Sequence, residues 1–234
     1  MMQEDYRDMG QVLLKAENIT KVYSNSRGDN TVLDGLSLQI EEGKLYAIEG
    51  ESGSGKSTLL SILSGLQKPS DGDVVYTPDE ETALSINDID DDELSKLRRH
   101  DIVYVPQTQE VLPTLNVEDN IRLVDFFDED KNADKDLSNI GRLSLILDQL
   151  GISELSREYP SELSGGELRR LCITRTLYVE PKVILADEPT NDLDKDNRDI
   201  IRGIFRDIAD KGVAVVVVTH DGELASEADE RIRL

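Results

Sequence analysis

Eight consecutive residues, Gly50-Glu51-Ser52-Gly53-Ser54-Gly55-Lys56-Ser57, put three glycines, a lysine and a terminal hydroxyl in one short run. The run fits the pattern G-x-x-x-x-G-K-[ST]. Its glycines let the backbone curl until several N–H groups face a single anion. Lys56 brings a cation suited to the β- and γ-phosphates of a nucleotide, and the Ser57 hydroxyl suits Mg²⁺. With Thr58 following, the run is a candidate nucleotide-binding loop. A helix opening at Lys56 would add the positive end of its dipole.

Two further segments carry groups of the matching kind. Val183-Ile184-Leu185-Ala186 is an apolar run that ends in the carboxylates Asp187 and Glu188. At the C-terminal end of a strand in an open α/β sheet, such groups emerge beside the ligand crevice. There Asp187 would hold Mg²⁺, and Glu188 would act as general base on a water. An acidic pair after a strand also serves as an ordinary helix cap, and only the phosphate loop in the same chain favours the metal-and-base reading. Leu163-Ser164-Gly165-Gly166-Glu167 opens another helical stretch and offers a second turn rich in N–H groups. Ser164 could be a simple N-cap. A second anion-binding turn makes most sense if it serves the nucleotide of another subunit.

These groups need elements to hold them. Leu45–Glu49 reads as a buried strand running into the loop, and Lys56–Leu66 as a helix with apolar residues at helical spacing. Val12–Ile19, Leu36–Ile40 and Ile102–Val105 read as strands. Thr77–Ser95 reads as a polar surface loop leading into a short helix. Val117–Leu150 is helical in pattern but broken by the charged stretch Asp125–Asp136, and Gly166–Val179 is helical again. Val183–Ala186, the helix Lys195–Ala209 and the strand Val213–Thr219 complete the alternation. A continuous run such as VAVVVVT implies burial on both faces, as in a parallel sheet. Strands alternating with helices predict an α/β fold. Met1–Gly10 reads as a frayed, polar end.

Composition bounds the function. The chain has 234 residues, 38% of them hydrophobic, with no Trp and few aromatics, so Leu, Ile and Val must build the core. A formal net charge of −23 argues against nucleic acid or anionic lipid as a partner. No apolar run is long enough to span a bilayer, no secretory signal pattern opens the chain, and the one cysteine, Cys172, fits a reducing compartment. Cys172 reads as a small core residue and His100 as a solvated histidine.

Five more features set these motifs in a specific order. Tyr23 precedes the phosphate loop, and Gln107 follows a strand in Val105-Pro106-Gln107. Asn191-Asp192-Leu193-Asp194 follows the acidic pair, and His220 ends the last strand in Val218-Thr219-His220-Asp221. The fifth is the segment Leu112–Val117 (LPTLNV), just beyond Gln107. The whole order resembles the ABC ATPase family over nearly the full chain. The resemblance implies a P-loop NTPase fold with a RecA-like core at 11–106 and 181–234, an N-terminal antiparallel β part, and an α-helical subdomain inserted at 107–180. It implies ATP and Mg²⁺ as ligands and hydrolysis of ATP to ADP and phosphate. Tyr23 would stack on adenine. Gln107 would contact Mg²⁺ and the attacking water with Ser57 and Asp187, and His220 would contact the γ-phosphate. Ser164, Gly165, Gly166 and Glu167 match the signature motif, and Asp194 the D-loop aspartate, both acting on the ATP of a second protomer, whether a copy or a paralogue.

The implied partner is an integral membrane permease, and the implied location is cytoplasmic, on the inner face of the membrane. The LPTLNV segment and Ser54–Leu66 are similar to the lipoprotein-releasing and macrolide-exporter branch. An alternative, prompted by Asn191-Asp192, is an ABC protein without transport function, acting in translation or DNA repair. Three departures stand out. Glu51 replaces the branch's usual proline and adds charge beside the phosphates, Glu167 replaces the commoner glutamine, and relatives usually carry a further strand or hairpin beyond Leu234.

Overall fold

The computed structural model describes residues 10–26, 28–127 and 133–234. Among the described residues, nine strands form two sheets. The first is antiparallel. Its long hairpin pairs β1 (Val12–Asn25) with β2 (Gly28–Glu41), and β1 pairs on its other side with β4 (Asp71–Tyr76), which in turn holds the two-residue β5 (Leu84–Ser85). The second sheet is parallel, in the order β6 (Ile102–Val105), β7 (Val183–Asp187), β8 (Ala214–Val218), β3 (Leu45–Glu49), β9 (Glu230–Arg233).

The parallel sheet is apolar on both faces, and alternate residues of each strand feed different cores. Tyr46, Ile48, Val183, Leu185, Val216 and Val218 face a cluster shared with the antiparallel sheet, α1 (Lys56–Leu63) and α2 (Asp91–His100). Leu45, Ala47, Ile184, Ala186, Val215 and Val217 face the opposite cluster. It is built from α3 (Val117–Ile121), α4 (Ala133–Gln149), α5 (Gly165–Tyr178), α6 (Lys195–Ala209) and α7 (Gly222–Glu227). This arrangement is why the sequence of β8 is an unbroken run of Ala and Val.

Several boundaries differ from the sequence reading. The strands expected at Val12–Ile19 and Leu36–Ile40 belong to one hairpin whose outer half is polar and exposed. The helix expected to reach Leu66 stops at Leu63, because Gly65 turns the chain at φ 68°. The Thr77–Ser95 stretch contains β5, and its helix begins at Asp91, where Asp90 accepts the Glu93 amide. The helical pattern from Val117 becomes α3, a 3₁₀ turn at Arg122–Phe126 and then α4 from Ala133, so 133–136 are helical rather than part of a break. Residues 1–9 and 128–132 lie outside the described residues.

Besides β5, the strands β4 and β9 and the helix α7 went unread. The strand β4 opens on two aspartates around a glycine (DGDVVY), which hides its alternation. The edge strand β9 (ERIR) is almost all charged. It is held by register with β3, by Lys44 on Glu230 at 2.9 Å, and by the preceding Asp229, whose carboxylate accepts the Leu45 amide at 2.8 Å. The helix α7 is only six residues long and is capped by Asp221.

Candidate functional site

The strands β3, β6, β7 and β8 run in parallel, so their C-terminal ends open on the same edge. A cleft of about 450 Å³ lies there. Ser52, Gly53, Gly55, Lys56, Ser57 and Thr58 line it from the loop and the start of α1, and Gln107 lines it from beyond β6. Asp187 and Glu188 come from the end of β7 and His220 from beyond β8. Ten of the residues singled out in the sequence as catalytic, nucleotide-binding or metal-binding therefore share one cavity. Val32, Asn191 and Val218 complete the lining. Asn191 was legible as part of the D-loop pattern. Val32 was not, because it arrives from β2 with no sequence signal.

The loop's shape follows from its glycines. Gly55 stands at the N-cap of α1 with φ 99°, and a Cβ there would lie 2.8 Å from Val32 Cγ1. Only glycine tolerates both conditions. No side chain caps α1, so its first amides point into the cleft. Lys56 is only 7% exposed, and its ammonium donates to the carbonyls of Gly50 at 2.9 Å and Glu51 at 2.8 Å. Those two residues thus act on the lysine through their backbones and lie outside the lining. Ser54 is also outside it, with a buried hydroxyl that lacks a hydrogen-bond partner among the described residues.

The carboxylates are held differently. Asp187 is buried and receives the Tyr104 hydroxyl at 3.3 Å. Burial, and then the nearby Asp187 charge, raise the Tyr104 pKa. Glu188 sits at φ 46°, in the left-handed region that non-glycine residues enter at a cost. Its amide donates to Val218 at 2.9 Å, and its carbonyl accepts from Asn191 at 3.2 Å. Its carboxylate accepts the His220 amide at 3.2 Å and lies 3.3 Å from the imidazole Nε2. Burial raises the Glu188 pKa, and Asp187 adds to the rise, while His220 and Lys56 oppose it. A carboxylate in this state is poised to accept a proton.

The donor set suits a polyphosphate with a divalent cation. It offers open helix amides, one buried ammonium, a hydroxyl at Ser57, an amide side chain at Gln107 and a carboxylate at Asp187. No cluster of three or more His, Cys, Asp or Glu that could hold a metal ion exists among the described residues. Mg²⁺ shared between one carboxylate, a hydroxyl, waters and phosphate oxygens does not require one.

Tyr23 lies outside the cleft lining. Its ring is 39% exposed, its hydroxyl donates to Gln67 at 2.9 Å, and Lys21 Nζ stands 5.4 Å from the ring centroid. A hydrogen bond with Thr58 is the main cause of its lowered pKa, which places the ring beside the start of α1.

The Ser164–Glu167 turn also lies outside the cleft lining. It forms the N-terminus of α5 with a capping box. Ser164 Oγ accepts the Glu167 amide at 3.4 Å, and Glu167 accepts the Ser164 amide at 2.7 Å. The Ser164 amide and hydroxyl hold the Glu167 carboxyl below its usual range. A Cβ on Gly166 would come within 2.6 Å of the Asn197 side chain, so glycine lets α5 press against the start of α6, which Asp194 caps.

The family model for ABC transporters matches residues 33–191. The chain belongs to the ABC transporter family. The cassette is 34% identical to an uncharacterized ABC transporter ATP-binding protein of Methanocaldococcus jannaschii, with 95% of each chain covered. It is 33% identical to the lipoprotein-releasing system ATP-binding protein LolD of Shewanella oneidensis, over 97% of this chain and 95% of that one. It is 35% identical to the macrolide export ATP-binding/permease protein MacB 2 of Aeromonas hydrophila, over 97% of this chain. The cassette spans about a third of the length of that protein and of the MacB of Bdellovibrio bacteriovorus. Among solved structures, the dimeric ABC transporter cassette MJ0796 superposes with a TM-score of 0.83 at 34% identity, covering 95% of this chain and 94% of that one. The same cassette in a post-hydrolysis state with ADP and Pi superposes at 0.84. The fold is thus that of an ABC ATPase. No helix among the described residues is long and apolar enough to cross a membrane.

Proposed function

We propose that the cassette binds MgATP in the cleft at the C-terminal edge of the parallel sheet, hydrolyses it, and powers a membrane permease of the exporter or lipoprotein-releasing type. The observation that carries this reading is the convergence of Lys56, Gln107, Asp187, Glu188 and His220 on one cavity. The amides of the phosphate loop and Lys56 would cradle the β- and γ-phosphates, and Tyr23 would take the adenine. Ser57, Gln107 and Asp187 would hold Mg²⁺, which supplies charge neutralisation at the transferring phosphoryl group. Glu188 would take the proton from a water aligned on the γ-phosphorus, with His220 orienting it. ATP and water then become ADP and phosphate, the bond to the β–γ bridging oxygen breaking as the new P–O bond forms.

Because the Ser164–Glu167 turn and Asp194 stand apart from this cleft, we assign them to the ATP of a second protomer, packed head to tail. Helices α3 to α5, at 107–180, would then form an arm carrying the signature turn, with the remainder as the nucleotide-binding core. The LolD and MacB relatives are transport components, which favours a permease partner over a role in translation or repair.

The test is Glu188→Gln beside the wild type. Turnover should fall roughly 10²–10⁴-fold, the range for loss of a general base. The variant should run as a dimer on size exclusion only with MgATP. Full activity in the variant would remove Glu188 as the base. A variant that stays monomeric while binding ATP would remove the copy-on-copy closure and point to a paralogue.

A further inference from the structure

The side chain of Gln107 lines the cleft, but its carbonyl faces the other way, toward α5. Arg169, one turn into α5, is only 2% exposed. Its Nη2 donates to the Gln107 carbonyl at 2.5 Å, and its Nη1 to the Pro106 carbonyl at 3.0 Å. Burial lowers its pKa, the charge of Asp192 partly opposes that, and its Nε has no hydrogen-bond partner among the described residues. A buried guanidinium satisfied by two adjacent carbonyls is costly to bury, and it fixes geometry tightly, because its planar fork spans both acceptors at once. Close by, Gln109 Nε2 donates to the Gly165 carbonyl at 3.1 Å. The segment 106–109 is therefore tied by three hydrogen bonds to the first turns of α5.

The far side of the same helix end is fastened too. Arg170 bonds Asn197, and Asn197 donates to the Asp194 carboxylate at 2.9 Å. The N-terminus of α5 thus lies between a segment that senses the cleft and the cap of α6.

We propose that Arg169 is the positioning residue that couples nucleotide occupancy at Gln107 to the placement of the Ser164–Glu167 turn, rather than a group that binds ATP itself. A shift of the Gln107 backbone on ligand binding displaces both carbonyls that Arg169 grips. A rigid helix carries that displacement to Ser164, one and a half turns away. This inference rests on the proposed nucleotide site but not on dimer closure.

The experiment is hydrogen exchange by mass spectrometry on intact Glu188→Gln protein with and without MgATP, diluted below the concentration at which size exclusion shows the MgATP dimer, alone and combined with Arg169→Met, Arg169→Lys or Gln109→Ala. In the parent, ATP should slow exchange both in the phosphate loop and at residues 164–170. Arg169→Met should keep the phosphate-loop response and ATP affinity within about threefold, while the response at 164–170 falls about tenfold. Arg169→Lys, which offers a point charge instead of a fork, should fall between. Gln109→Ala removes an exposed bond at little folding cost and should weaken the response partially. If ATP slows exchange in the loop but not at 164–170 in the parent, the coupling is wrong while the nucleotide site stands. If ATP slows exchange nowhere, the nucleotide site itself fails. An unchanged response at 164–170 in both Arg169→Met and Gln109→Ala, or a parallel loss of ATP affinity and melting temperature in every variant, would overturn the positioning role.

Discussion

Glu188 concentrates the conflict between stability and chemistry. Its backbone takes a left-handed φ, its carboxylate is partly buried, and Asp187 stands next to it. All three features cost folding energy, and they recur at sites where geometry is fixed for reaction rather than for stability. The pKa is raised in the fold, so the protonated form is the one the fold favours. Stability linked to this group is therefore complete below the unfolded carboxylate pKa and is lost as pH rises through the higher folded value. Glu188→Gln mimics the neutral form. Thermal melts of nucleotide-free protein should show the variant a few degrees more stable at about pH 8, with the gap closing as pH approaches about 4. The absence of a gap at about pH 8 would mean that the cost lies in the backbone, which both side chains share, and not in the charge. The sequence made Glu188 visible as half of an acidic pair. It could not show the left-handed turn or the His220 amide that donates to the carboxylate, because the groups that hold both, the Val218 carbonyl and the His220 amide, lie at the end of β8 and just beyond it, far away in sequence.

At the scale of elements, what the sequence revealed tracks burial. The strands β3, β7 and β8 are buried on both faces and read as apolar runs, and α6, which covers them on one side, keeps a clear helical periodicity. Elements at the rim did not. The strand β9 is held by pairing and charge on an exposed edge, and the outer half of the β1–β2 hairpin is stabilised by its own ladder, so neither leaves an apolar pattern. Asn120 shows the same limit inside the helical region. It sits on α3 with no exposure, and nothing in its sequence context marks it. Its Oδ1 accepts the Leu112 amide at 2.8 Å, and its Nδ2 donates to the carbonyls of Leu112, Leu115 and Asn116. One side chain thus shapes the LPTLNV segment that the sequence singled out only by resemblance. Asn120→Leu, close in volume, strands a buried donor and leaves the carbonyls short of one. It should cost about 2–4 kcal/mol, read as a lower urea midpoint with an unchanged m-value. A loss well under about 1 kcal/mol would show that the segment reorganises and finds water.

For the whole molecule, the dominant quantity is the net charge of −23. The proposed closure brings two such copies and two bound nucleotides together, all of one sign. The attractive groups are local. Lys56 is buried in the cleft, and the helix-end amides act over a few ångströms, so salt screens them weakly. The repulsion is spread over a body with a radius of gyration of roughly 17 Å. At about 0.01 M salt the screening length is ~30 Å, and nearly every charge on one copy feels the other. At about 1 M it is ~3 Å, and only charges in contact remain coupled. The two terms therefore respond oppositely, and the long-range repulsion is the one that salt removes. ATP-dependent dimerisation of Glu188→Gln should tighten as KCl rises across that range, with NaCl giving the same slope because screening does not distinguish the cations. Sedimentation equilibrium at saturating MgATP measures it directly. Weaker association at high salt would mean that cross-interface ion pairs outweigh the net charge, and the basic residues facing Ser164 and Asp194 across the interface would then be the ones holding the dimer.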